Sequence, residues 1–358
     1  MQTAPREIVR RCLRFERPPR MPREMWALPW AYEHLKDYID EINRRFPSDF
    51  GAPANVYRPS PRVRGDQYGI GTYTDEWGCV FTGIQKGVIG EVRNPQLQDI
   101  EDWKSVVPPY ETLPENTARA RDQVNRSCAA SPLFIRAGCC PRPWERYQFL
   151  RGTENAMIDM MTLDRPVLEL LRVIHEFYLR ELEFWVRTDV DAISFMDDWG
   201  SQRQLLIPPG IWREVFKPMY RDYCDLAHSS GKFVFMHSDG HITEIYPDLI
   251  EIGVDALNSQ LFCMDIAELA RIAKGKITFW GEIDRQHVMP SPDPMAGREA
   301  VRRVAAHLYD PAGGIIAQFE ITPGSNGAVA VAIFEEWERV EEEARLGSGS
   351  SGGPAQVS

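Results

Sequence analysis

Eight short runs of apolar, β-branched and aromatic residues, most followed by longer stretches whose apolar positions recur at helical spacing, restrict the fold of this chain more than any other feature. The runs lie at 22–28, 47–52, 132–137, 192–196, 233–237, 255–259, 277–280 and 314–319. A strand buried on both faces reads as a continuous apolar run, and a strand whose chain returns through a helix pairs in parallel with its neighbour. The stretches 165–188, 209–229, 267–273 and 297–308 supply return helices. Repeated eight times, the pattern predicts an α/β fold, a (β/α)8 TIM-type barrel. The length of 358 residues suits a single barrel domain over 1–345. The segment 55–117 interrupts the alternation: it is rich in Pro, Gly and aromatics, lacks a helical period and contains the short runs CVFTGI and GVIGEV. It is expected to be a β-hairpin insertion, placed to fold over the barrel mouth as a lid. From 346 to 358 the chain reads LGSGSSGGPAQVS, too poor in apolar residues to order itself, and a disordered tail is expected.

Charge narrows the partners. A formal net charge of -11, with no clustered Lys/Arg face, excludes a nucleic-acid surface, because phosphate binding needs local positive charge. No apolar run approaches the roughly 18 residues of a membrane span, and the charged N-terminal segment does not resemble a secretion signal. A cytoplasmic location is expected. The seven cysteines form no repeated pattern, and the adjacent pair Cys139–Cys140 could only make a strained disulfide, so reduced thiols are expected.

In a barrel of this kind the loops leaving the C-terminal ends of the strands build the site. Five successive runs end in polar or acidic residues: Asp197 and Asp198, His237 and Asp239, Asn258 and Gln260, Glu282 and Asp284, Gln318 and Glu320. Any one of them would serve as an ordinary turn or helix-cap residue; five together point to a pocket. His237 and Asp239 are two apart and leave an extended strand on the same face, as a metal site or an acid/base pair needs. Converging carboxylates repel, so they must be protonated, paired with Arg203 or Arg285, or gathered around a cation. Imidazole with carboxylates suits Zn²⁺ or another borderline divalent metal. Trp26, Trp30, Trp77 and Trp199 are candidates for aromatic walls. Asp75 and Glu76 belong to the insertion, as an exposed turn or as part of the lid. Cys139 and Cys140 cannot both point inward from an extended strand, so a catalytic thiol is not expected there.

The stretch from Asp197 to Gln260, DDWGSQRQLLIPPGIWREVFKPMYRDYCDLAHSSGKFVFMHSDGHITEIYPDLIEIGVDALNSQ, resembles the uroporphyrinogen decarboxylase-like superfamily, as do TDEWGCVF near residue 75 and TFWGEIDRQHVMP. The likeness runs from about residue 5 to residue 340. It implies a barrel with one of two chemistries: decarboxylation of uroporphyrinogen, or zinc-dependent methyl transfer between a corrinoid protein and a small acceptor. The decarboxylase pattern has an Arg-Gln-Ala-Gly-Arg loop after the first strand to hold carboxylates; here that place reads EMWALPWAYE. The methyltransferase pattern holds zinc with His-x-Cys and a second Cys near the last strand. His237 matches, Asp239 stands at the first cysteine and Phe319 at the second.

The methyltransferase branch therefore implies an oxygen-rich site for a divalent metal, Zn²⁺ first, from His237, Asp239, Glu282 and Glu320. His237, Asp239, Glu282 and Asp198 are the expected catalytic residues, and Trp26, Asp197, Gln202, Gln260 and Asp284 the expected contacts to a small-molecule substrate. A corrinoid would arrive on a partner protein, since this chain shows no corrinoid-binding signature, and a homodimer is the expected assembly. Two other readings stay open: a decarboxylase acting on a substrate other than uroporphyrinogen, and a non-catalytic barrel that binds a tetrapyrrole or corrinoid.

Overall fold

The computed structural model describes residues 3–349. Its strands are β1 (Arg23–Ala27), β2 (Phe50–Gly51), β3 (Gly71–Thr74), β4 (Val80–Gly83), β5 (Glu91–Val92), β6 (Phe134–Ile135), β7 (Ala192–Met196), β8 (Phe233–Ser238), β9 (Ala256–Ser259), β10 (Thr278–Trp280) and β11 (Ile315–Ile321). Six pair in parallel in the order β1-β11-β10-β9-β8-β7, and β2 pairs in parallel with β6. Two backbone hydrogen bonds join these sheets: Asp49 N–H to Arg23 O at 3.0 Å beside β1, and Ala137 N–H to Ala192 O at 2.8 Å at β7. The eight predicted runs thus form one ring of strands within an α/β fold.

The ring is filled rather than hollow. Phe50, Phe134, Phe235 and Trp280 are buried inside it, and the Arg136 guanidinium lies over the rings of Phe50 and Trp280 at 4.9 and 4.6 Å. Its charge is met by Glu24, whose other oxygen accepts the Trp280 indole N–H at 2.8 Å. The helix Pro5–Leu13 closes the N-terminal end: Arg6 N–H reaches Pro132 O at 2.9 Å, and Gly314 N–H reaches Cys12 O at 3.1 Å. The open end is therefore the C-terminal one.

Outside the ring, helices bury one stripe each. Arg165–Trp185 turns Val167, Leu170, Leu171, Ile174 and Phe177 inward at spacings of three and four, each such burial being worth about 1.5–3 kcal/mol. Pro209–Ser229 and Met295–Leu308 do the same. Between β2 and β6 the chain adds an antiparallel sheet in the order β3-β4-β5. The last helix spans Gly327–Gly349, so the first residues of the expected tail continue it, and 350–358 lie outside the described residues. Among the described residues no helix is long and apolar enough to cross a membrane.

Candidate active site

β7 and β8 run side by side, with Met196 opposite His237. The loops that follow them meet at two glycines. Gly200 N–H donates to Asp239 O at 3.0 Å, and a Cβ on Gly240, which has φ +80°, would fall 2.0 Å from Gly200 O. Only paired glycines permit that approach. It brings Asp198 and Asp239 to the same side of His237, whose Nε2 lies 3.4 Å from Asp198 Oδ1 and 3.5 Å from Asp239 Oδ1.

The other imidazole nitrogen is fixed. His237 Nδ1 lies 2.6 Å from Asn258 Oδ1, and the Asn258 amide donates to Trp280 O and, at 3.0 Å, to Gln318 Oε1. Because the amide N–H groups are spent, Oδ1 must accept, so Nδ1 carries the proton and Nε2 is left for the acids. Burial alone would lower the His237 pKa, but the Asp198 hydrogen bond and the charges of Asp239, Asp198 and Glu282 outweigh it and push it up to about 10. Burial likewise raises Asp198, and His237, the Asp239 N–H and Arg285 more than reverse this, holding its carboxyl below the usual range. The cluster thus calls for a positive charge at Nε2. A proton can meet that demand, and so can a divalent ion in exchange for the proton.

A metal fits this donor set. One nitrogen and two carboxylate oxygens, from His237, Asp198 and Asp239, lie within 4.8 Å of one another. Asp239 Oδ1 is buried without a hydrogen-bond partner among the described residues, a polar atom that a cation would satisfy. Asn258 supplies the outer contact that a ligating histidine needs.

Asp198 thus stands with His237 and Asp239 where Glu282 and Glu320 were expected. Those two converge on Arg285, one of the two cations considered from sequence. Its guanidinium reaches Glu320 Oε2 at 2.5 Å, Glu282 Oε2 at 3.2 Å, and Asp239 Oδ2. Arg203 is exposed in the loop after β7. Glu282 is 2% exposed. Burial, with Asp239 and Glu320 adding and Arg285 and His237 opposing, pushes its carboxyl up to about 8. Its Oε1 has no partner among the described residues and can hold or release a proton.

The expected substrate contacts divide. Trp26 packs 5.6 Å from the His237 ring. Gln202, Gln260 and Asp284 line a recess of about 50 Å³ with Glu282 and Arg285, although Gln260 Oε1 also accepts Gly240 N–H at 3.2 Å, and Asp284 takes the His287 N–H at 3.0 Å. Asp197 faces the other way. It is fully buried and accepts from Trp144 N–H, Glu145 N–H and Tyr220 Oη at 3.0, 2.7 and 2.6 Å. Helix capping uses the carboxylate that was expected to touch substrate. Trp199 is also withdrawn, stacked on Trp144 at 5.2 Å and fully buried. Trp77 is 3% exposed under the β3–β5 sheet, and Trp30 stacks on His34. Phe319 points out of the ring onto Phe334 at 4.8 Å, since neighbours along a strand face opposite sides.

Asp75 is not an exposed turn: it is 4% exposed and ion-paired with Arg146 at 2.5 Å. Cys139 and Cys140 both face the same chamber under the insertion, which the strand argument had excluded; β6 ends at Ile135, so 139–140 is not extended strand. Both thiols are raised by burial, Cys140 to about 11, and are poor nucleophiles at neutral pH. All seven cysteines are free. Sequence reasoning missed Glu145 and Glu181, which belong to helices with nothing to distinguish them from solvent-facing charges, and Arg142, which directly precedes one.

Residues 76–339 match the family model described as uroporphyrinogen decarboxylase (URO-D). Among solved structures, a methyltransferase from Methanosarcina mazei is similar with a TM-score of 0.66 at 12% identity, covering 95% of this chain and 100% of that one. A glycosylated endo-β-1,4-xylanase from Gloeophyllum trabeum follows at a TM-score of 0.44 and 10% identity, covering 91% and 98%. No curated protein sequence matches significantly.

Proposed function

This chain belongs to the uroporphyrinogen decarboxylase family, and we propose that within it the protein is a metal-dependent methyltransferase, moving a methyl group between a corrinoid on a partner protein and a small acceptor. The observation that carries this reading is the His237–Asp198–Asp239 cluster, with Asp239 Oδ1 buried and without a hydrogen-bond partner among the described residues. Those three residues would hold the ion. When bound, a divalent metal supplies Lewis acidity that lowers the pKa of an acceptor hydroxyl or thiol.

The chain's own groups do the rest. Asn258 keeps Nε2 of His237 aimed at the two aspartates. Arg285 offsets the charge of Glu282, Glu320 and Asp239, so that the pocket does not repel an anionic acceptor outright. Glu282, with its carboxyl pushed up to about 8 and an Oε1 that has no hydrogen-bond partner among the described residues, takes or returns the acceptor proton. Trp26 walls the site on the β1 side and limits water. A polycarboxylate substrate suits this end of the barrel poorly, because the cation among these acids is already shared by three carboxylates. The same Glu282 supports a second reading, a decarboxylase in which its neutral carboxyl is the general acid toward a smaller substrate.

Metal analysis of untagged protein after incubation with Zn²⁺ and dialysis separates the two. About one ion per chain in wild type, lost in both His237→Ala and Asp239→Ala, is the result expected. Full metal retention in either variant, or none in wild type, would reject the metal site and favour the decarboxylase.

A further inference from the structure

A chamber of about 460 Å³ lies beneath the β3–β5 sheet, well within the range of small-molecule sites. One side of it is apolar and rigid. Trp77, Phe81 and Phe177 are 3%, 7% and 3% exposed, and Trp77 meets Phe177 edge-on at 5.1 Å. The other side carries Arg142, Arg146 and Glu181.

These charges are not equally engaged. Arg146 is committed to Asp75 at 2.5 Å and Glu76 at 3.5 Å. Glu181 accepts the Tyr57 hydroxyl at 2.7 Å, and that oxygen in turn accepts the Trp185 indole N–H at 2.7 Å. Arg142 has no such partner. Its guanidinium comes no nearer to a carboxylate than 3.8 Å, at Glu145, and donates no hydrogen bond among the described residues. Its side chain is 30% exposed and lines the chamber beside the buried Tyr178 and the half-buried Cys140. A guanidinium facing an aromatic recess without a carboxylate in hydrogen-bond reach keeps its donors free, and a planar anion would take them in two parallel hydrogen bonds. One cation with no hydrogen-bonded carboxylate among the described residues, with Asp75, Glu76 and Glu181 in the same walls, suits one anionic group and disfavours several.

The chamber and the acid cluster share the end of β7. Met196 N–H donates to Pro141 O at 2.9 Å, and Asp197, next to Asp198, caps the helix Pro143–Arg151 that begins just after Arg142. We infer that the chamber binds the organic substrate, a flat aromatic molecule carrying a single carboxylate-like group, with its charge on Arg142 and its ring against Trp77 and Phe177. Calling that ligand a substrate rests on the proposed function; its binding does not.

Calorimetric titration of the full chain with 2-naphthoate and the isosteric, uncharged 2-naphthamide tests this. Naphthoate binds wild type at least tenfold more tightly than naphthamide. Arg142→Gln removes that margin while leaving naphthamide affinity unchanged, Arg142→Lys restores part of it, and Val63→Trp, at the 37% exposed rim, weakens both ligands. His237→Ala leaves naphthoate binding intact, so failure of the metal site would not remove this result. Equal affinities in wild type, no binding of either probe, a margin that survives in Arg142→Gln, or loss of naphthoate binding in His237→Ala would overturn the inference.

Discussion

Asn258 is fully buried and spends its polar atoms on three partners: His237, the Trp280 carbonyl and Gln318. Its work is orientation rather than contact with a ligand. Asn258→Leu frees the imidazole to rotate and exchange tautomers, so divalent-metal affinity should fall about 10- to 100-fold while the folded state persists; competition against a fluorescent chelator measures it. A fall of less than about threefold would mean that β8 alone holds the ring. From sequence, Asn258 was visible as one of several polar residues ending a strand, but spacing cannot separate a residue that binds an ion from one that steadies the binder. Arg285 was visible too, beside Arg203. Only the fold decides between them, because both follow strand ends and just one loop turns its side chain inward.

At the scale of elements, neighbouring aspartates have opposite duties. Asp198 faces His237, whereas Asp197 holds the first turn of the helix Pro143–Arg151 and the Tyr220 hydroxyl. Burial and the Glu145 charge raise the Asp197 carboxyl well above its ordinary value. Asp197→Ala strands two N–H groups and a hydroxyl, and should cost about 3 kcal/mol; Asp197→Asn, which keeps one acceptor, should cost about 1 kcal/mol. Urea denaturation distinguishes them, and equal losses would contradict the capping role. The β and α alternation was readable because each strand and helix writes its own period: β7 falls at the predicted 192–196, and the helix Pro209–Ser229 at the predicted 209–229. The segment 138–142 was not, because its course is set by the β7 end and the helix it leads into rather than by its own composition.

For the molecule as a whole, buried carboxyls tie stability to pH. Burial pushes Glu145 and Glu181 up to about 7 and Glu282 up to about 8. Each is raised above its unfolded value, so the folded chain binds more protons than the unfolded one between about pH 4.5 and 8. Their contribution is fully present below pH 4.5 and is lost as pH rises through 7 to 8. Glu181→Gln keeps the acceptor for Tyr57 and removes one titration. It should therefore gain on wild type by up to roughly 3 kcal/mol as pH rises from 4.5 past 7, an upper bound from the shift; paired denaturation curves at pH 5 and 8 give the answer, and parallel pH dependence would refute it. The chamber that Glu181 lines escaped sequence reading because it joins residues near 57, 77, 142 and 181, which no local pattern connects. The contact between Gly200 and Gly240 has a different reach. Since main chain sets the distance between the loops bearing Asp198 and Asp239, the grip on an ion and the choice of donor atom are inherited separately. A lineage could exchange oxygen for sulfur at position 239 by a single substitution, changing which metal it favours while the scaffold that spaces the donors passes on unaltered.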